Sequence, residues 1–396
     1  MNKNKLWIVS EFYYPNENST GYIITNIVDK LALYSHINVI TVGDTIKERS
    51  NNIYTIRIKE VESLDKNKLI QRIIKQLIIS VRFLFSILKN VKKNDTVVTV
   101  TNPALNLIFL SVIKKIKKIK LIIIVHDVFP ENLIVSGISN ESKLVYKIAK
   151  RLFNYSYNKG DKLITLGRDM QKQIQNKVYN KDKVICIQNF ADTNNIFPSQ
   201  KEKNNILIEN KIVNKFIVLF TGNIGRMQNI DSLLETICIL NNDDDIHFLF
   251  IGEGAFVEKM KSYINENSLS NITMLPNMSR EKENEFLNAG DVGLVSLVPN
   301  VMGTGVPSKT YSYMAAGKPI LAFLDEDSEI ALMTKEENIG WVVNPNNPIE
   351  LAEKIIEIKN NKDEVIIKSK KSREVAVEKY SLDIITEKYS IAIKSK

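Results

Sequence analysis

Thr96–Glu131 reads TVVTVTNPALNLIFLSVIKKIKKIKLIIIVHDVFPE and holds the fold in miniature. Thr96–Thr101 reads as a strand, Ala104–Ile116 as a helix and Lys120–His126 as a second strand. Leu121–Val125 is wholly apolar, as expected of a strand covered on both faces in a parallel sheet. Outward from this unit the alternation recurs. Strands are expected at Leu6–Ser10, Ile37–Val42, Ile53–Lys59, Lys162–Leu166 and Lys183–Ile187, with helices at Tyr22–Tyr34, Ser142–Asn158 and Asp169–Asn176. Strands alternating with helices imply βαβ units.

Asn189–Asn214 is polar and lacks sustained periodicity, so the domain junction is placed there. Beyond it the plan repeats, with strands Phe216–Thr221, Ile246–Ile251, Ile272–Leu275, Val292–Val295, Pro319–Phe323 and Trp341–Val343. Helices are expected at Ile230–Leu240, Phe256–Asn267, Ser279–Leu287, Ser308–Ala316 and Ile349–Asn360. Two domains are also what 396 residues favour. The expectation is α/β, with residues 1–195 and 196–380 each forming a Rossmann-like parallel sheet, and strand ends facing a central cleft.

Composition narrows the class. Hydrophobic residues make up 44% and charged residues 25%, as in soluble globular proteins. Cys186 and Cys238 lie far apart in apolar segments, which predicts buried thiols in a reducing compartment. Lys3 and Lys5 precede a short strand, so no signal peptide is expected. No apolar run approaches the ~20 residues of a membrane span. These readings point to the cytoplasm. The net charge of +9 is uneven, since residues 1–200 hold 31 lysines and arginines against 16 acidic residues. No zinc spacing, RNP-like aromatic run or KH-type loop accompanies that excess, so nucleic acid is not an expected partner. Lys68–Lys93 carries basic residues among apolar ones and no acidic residue, and Lys114–Lys120 adds a second basic cluster. Such stretches fit either an anionic membrane surface or a core-packed helix with a solvated face.

The chemistry is expected in a few loops. In Val301–Pro319, VMGTGVPSKTYSYMAAGKP, Gly303 and Gly305 free the backbone, with Thr304 between them. Ser308 reads as an N-cap, Lys309 places a cation one turn in, and Gly317 with Pro319 ends the helix. A helix N-terminus behind a glycine loop suits phosphate oxygens, although an ordinary loop–helix connection fits the same residues. Phe220–Arg226, FTGNIGR, ends the second domain's first strand. There Gly222, Asn223 and Gly225 are expected to bring N–H groups to a ligand, and Arg226 to bridge phosphate oxygens. Gly252-Glu253-Gly254 ends another strand at the same sheet edge. His126 and Asp127 emerge together at the end of Leu121–Val125 and are candidates for proton transfer or hydroxyl binding; a capped loop is the competing account. No P-loop run is present, and no GxGxxG follows the first strand, which disfavours P-loop NTPases and dinucleotide oxidoreductases.

Taken in order, HDVFPE, QNFAD, FTGNIGR, IGEG, AGDVGL and PSKTYSYMAAGKPIL resemble retaining glycosyltransferases of family 4 with the GT-B fold, in the bacterial branch that builds O-antigen, capsule and colanic-acid-like polysaccharides. The resemblance implies a nucleotide diphosphate-sugar donor, with UDP expected, in the second domain. It also implies a lipid-linked (undecaprenyl diphosphate) saccharide acceptor on the first domain, and a C-terminal helix, within 381–396, that packs back on the first. On that basis Arg226 would hold the diphosphate, His126 would touch the transferred sugar, and Ser19, Thr20 and Gly21 would form a loop near the reaction centre. Gln228 stands where many members have lysine, and Thr304 and Ser312 stand where most have glutamates, the second of which would hold the ribose. No metal or other cofactor is expected, because fixed cations and a helix N-terminus would stabilise the departing diphosphate. The expected setting is the inner face of the cell membrane. A GT-B-type sugar-nucleotide epimerase and a non-catalytic binding subunit are the competing functions.

Overall fold

The computed structural model describes residues 4–16, 18–61, 69–135 and 143–395. The chain forms two units. The first comprises Met1–Gln188, Gly303–Gly305 and Ile385–Lys396, and the second Asn189–Met302 and Val306–Ile384.

In the first unit the strands are β1 (Leu6–Val9), β2 (Ile37–Val42), β3 (Ile53–Ile58), β4 (Thr96–Val100), β5 (Lys120–Val125), β6 (Lys162–Thr165) and β7 (Val184–Cys186). They form one sheet in the order β3-β2-β1-β4-β5-β6-β7, every pair parallel. Leu6 pairs with Ile37 on one side and Thr96 on the other, so β1 is central. Leu121–Val125 is buried throughout, which is why that stretch shows no polar alternation. The order reverses between β1 and β4. Right-handed crossovers then place the helices Leu69–Asn90, Leu105–Lys117 and Leu144–Lys159 on one face of the sheet, where they pack side by side. Helix Leu382–Lys394 buries Ile385, Tyr389 and Ile393. Lys162 Nζ donates to the Ala392 carbonyl at 2.6 Å, and the Tyr389 hydroxyl to that of Ile187 at 3.5 Å.

In the second unit the strands are β8 (Phe216–Thr221), β9 (Ile246–Ile251), β10 (Ile272–Leu275), β11 (Val292–Ser296), β12 (Ile320–Phe323) and β13 (Gly340–Val343). Their order is β10-β9-β8-β11-β12-β13, again all parallel, with the reversal between β8 and β11. Helix Lys309–Ala315 packs on this reversal. A Cβ on Gly293 would lie 2.4 Å from the Tyr313 ring, so β11 needs glycine where Tyr313 sits. The Tyr313 hydroxyl accepts from Thr221 N at 2.8 Å.

Several expectations change. Ser19, Thr20 and Gly21 are the first turn of helix Ser19–Ala32, because Asn18 caps it by accepting from Gly21 N at 2.7 Å. The helix expected over Lys68–Lys93 spans Leu69–Asn90, and Lys68 and Ser142 lie outside the described residues. Helices Asn205–Glu209, Glu329–Glu336 and Lys362–Lys379 were not foreseen, the first falling inside the stretch read as junction. Cys238 is exposed and Cys186 partly so, contrary to the reading of both as buried thiols.

Candidate active site

At the reversal of the second unit, β8 runs into Gly222, whose φ of +93° turns the chain. The loop then lies against the loop after β9. Gly222 N donates to the Ile251 carbonyl at 2.8 Å, and Ile224 N to that of Glu253 at 2.8 Å. A Cβ on Gly252 would come within 1.8 Å of the Gly222 carbonyl, and one on Gly254 within 2.2 Å of that of Ile224. The glycines of Gly252-Glu253-Gly254 therefore let two backbones continue their ladder beyond the strand ends. This corrects the expected use of Gly222 and Gly225. The Gly225 N–H donates to Gln228 Oε1 at 3.1 Å, so the N–H groups of Gly222, Ile224 and Gly225 all have protein acceptors. Gln228 clamps the turn Arg226–Gln228, and Asn223 Nδ2 donates to the same oxygen at 3.4 Å. Arg226 is held on this turn and is exposed.

Lys309 begins the helix Lys309–Ala315. Ser308 has helical backbone angles and its side chain makes no capping bond, contrary to the N-cap reading. Gly317, with φ +65°, ends the helix as expected. Lys309 Nζ is buried and has no hydrogen-bond partner among the described residues. It lies 3.3 Å from the centroid of the Phe220 ring, itself fully buried and stacked on Phe250. Burial pushes the Lys309 ammonium down to about 7. An ammonium with one aromatic face and, among the described residues, no counter-charge thus sits by the carboxyl end of β8. Ser312, one turn on, donates to Glu283 Oε1 at 3.2 Å, while Arg280 donates to Glu283 Oε2 at 2.9 Å. Burial lifts the Glu283 carboxyl above its ordinary range, against the pull of Arg280 and Ser312. Neither Glu283 nor Phe220 stood out in the sequence, the first lost in a charged run and the second in an apolar strand.

The first unit gathers a second group of residues. His126 N and Asp127 N, just past β5, donate to Thr101 Oγ1 at 3.1 and 3.0 Å. Asn132 Nδ2 donates to Asp127 Oδ1 at 2.9 Å. His126 Nε2 is buried without a partner among the described residues, and burial pushes the imidazole down to about 4. It is neutral at pH 7, fit to exchange a hydrogen bond rather than to carry a proton. Gly303–Gly305 joins this group: Gly303 N donates to Asp169 Oδ2 at 3.1 Å, and the Thr304 carbonyl accepts from Val128 N at 3.0 Å. Gly303, at φ +76°, favours glycine; a Cβ on Gly305 would meet the His126 carbonyl at 3.7 Å, an ordinary contact. Among the described residues no three His, Cys, Asp or Glu side chains gather as a metal site would need.

Two doubly wound, all-parallel units, each carrying candidate loops past the carboxyl ends of its strands, make this a GT-B protein. Solved structures bear out the fold. The chain is similar to Alr3699/HepE of Anabaena, solved with UDP, at a TM-score of 0.74 and 14% identity, covering 99% of this chain and 100% of the other. It is also similar to WaaG, a glycosyltransferase involved in lipopolysaccharide biosynthesis, at a TM-score of 0.69 and 13% identity over 99% and 100% of the two chains. Residues 201–377 match the family described as glycosyl transferases group 1. The probable glycosyltransferase WbjE of Pseudomonas aeruginosa is 34% identical over 358 residues, 89% of each chain. The chain belongs to the glycosyl transferases group 1 family.

Proposed function

We propose that the protein moves a hexosyl or N-acetylhexosaminyl group from a UDP-sugar to a lipid-linked saccharide, an undecaprenyl diphosphate-bound chain, during assembly of a bacterial surface polysaccharide. In this reading it is a family 4 enzyme acting with retention. The second unit takes the donor and the first takes the acceptor. The observation that carries the reading is Lys309, buried at the end of β8 without a counter-charge among the described residues. Burying an unpaired ammonium is costly, and a diphosphate is the ligand that reverses the cost. Loss of that diphosphate is also the hard step of sugar transfer, as positive charge develops at the anomeric carbon. Lys309 and the exposed Arg226 stabilise the departing oxygens, which is the work a metal does elsewhere. The UDP complex of the Anabaena neighbour and the lipopolysaccharide role of WaaG support the choice of nucleotide and product class.

Transfer is favoured over epimerisation by the state of the acid–base groups. His126 is neutral, and Asp127 is tied to Asn132, which leaves little to shuttle protons. The test is a panel of UDP-sugars incubated with a lipid diphosphate saccharide and read by mass spectrometry. The expected product is the acceptor lengthened by one sugar. Isomerised donor without lengthened acceptor, or binding without turnover, refutes the proposal.

A further inference from the structure

Helices Leu69–Asn90, Leu105–Lys117 and Leu144–Lys159, adjacent on one face of the first sheet, each turn a second apolar stripe outward. On the first, Ile74, Leu77, Val81, Phe85 and Leu88 recur every three or four residues and are exposed, Phe85 by 67%. On the second the exposed pair is Val112 and Ile116, the latter by 69%. On the third, Leu144, Ile148, Leu152 and Tyr155 repeat the spacing, with Leu144 exposed by 72%. The outer faces of the last two helices adjoin, since Lys115 Nζ lies 5.6 Å from the Tyr155 ring centroid. Soluble surfaces rarely gather apolar residues in such parallel rows.

The charge on these rows selects the occupant. The three helices hold eleven lysines and arginines and no aspartate or glutamate. Lys75 and Lys114 are paired with Glu60 and Asp161 from neighbouring segments. Lys115, Lys147 and Arg151 stand next to Ile116, Ile148 and Leu152 in the same stripes. Cations interleaved with apolar side chains suit a bilayer, where the apolar groups enter the acyl boundary and the long basic stems reach the headgroups. Among the described residues no helix is long and apolar enough to cross a membrane. We propose that this three-helix face docks on an anionic phospholipid bilayer. The basic stretches legible in the sequence supply two of the helices, and the stripe of Leu144–Lys159 is what the structure adds.

The test uses the full chain and needs no activity, so it stands or falls apart from the sugar-transfer reading. The protein is sedimented with vesicles of phosphatidylcholine alone or of an equimolar mixture with phosphatidylglycerol, at low and high salt. Binding to the mixed vesicles is expected to fall about tenfold or more as salt rises. Ile116→Ser/Leu144→Ser/Ile148→Ser and Lys115→Glu/Lys147→Glu/Arg151→Glu should each lose binding by about tenfold or more, with thermal unfolding midpoints close to wild type because every site is exposed. Salt-independent binding to both vesicles, or variants that bind like wild type, overturns the proposal. So does failure to bind vesicles combined with a solution dimer that the apolar variant abolishes, since a second copy would then cover the face.

Discussion

Replacing Lys309 by methionine keeps the length of the side chain and removes its charge, and stability and function should then move in opposite directions. In the unfolded chain Lys309 stays protonated up to about 10.4; in the folded chain it does so only up to about 7. Between these values the unfolded state binds more protons, so stability from this group rises with pH and is lost as pH falls towards 7. At pH 7 the difference amounts to roughly 4 kcal/mol. Against it, the Phe220 ring favours the charged form by about 2 kcal/mol. Lys309→Met should therefore unfold at higher urea, by about 2 kcal/mol at pH 7, with the advantage vanishing above pH 10. Donor binding should show the opposite. Neither phosphate of a UDP-sugar titrates near neutrality, so a proton taken up on binding comes to the protein. Calorimetry of UDP-glucose in buffers of different ionisation enthalpy should report a net proton uptake that grows as pH rises from neutrality. Affinity should weaken by up to about tenfold per pH unit above 7, and Lys309→Met should abolish both the uptake and the slope. A variant that is less stable than wild type and binds UDP-glucose as tightly at every pH would show that the ammonium serves packing alone.

Other outcomes follow from the same geometry. Arg226→Ala should slow transfer by roughly 10²–10³ with little loss of stability, since the side chain is exposed. Combined with Lys309→Ala in a double-mutant cycle on kcat, it should show coupling, because both groups act on one diphosphate; strictly additive losses would place them on different groups. Transfer should persist in EDTA, with loss and rescue by Mn²⁺ or Mg²⁺ counting against charge stabilisation by Arg226 and Lys309. Gly252→Ala, whose Cβ would stand 1.8 Å from the Gly222 carbonyl, should cost about 3 kcal/mol in urea unfolding and loosen donor binding with it.

The strand ladder was legible because strands buried on both faces read as unbroken apolar runs, as Leu121–Val125 does. Helix Lys362–Lys379 escaped notice for the converse reason. It buries Lys368 against Asn338 and the Trp341 ring, and Ser372 against the Lys318 carbonyl, so no apolar stripe marks it. The loops were found by their glycines, but their roles were not. Whether a glycine N–H faces a ligand or a neighbouring backbone depends on what lies across from it, and β9 places its own loop there. Lys309 was visible as a cation at a helix start. Its isolation over Phe220 arises from residues 89 positions apart in the chain, which no local pattern encodes.

The closing of the first unit by Ile385–Lys396 sets an order of assembly. Ile187 and Tyr389 meet across 202 positions, and Lys162 and Ala392 across 230. The second unit draws on Asn189–Ile384 alone, broken only at Gly303–Gly305. Contacts across long stretches of chain form late, since the loop they close is entropically dear. The unit that begins the chain is thus the one completed last, and pulse-labelled amide exchange during refolding should show β8 to β13 protected before Tyr389 and its partners.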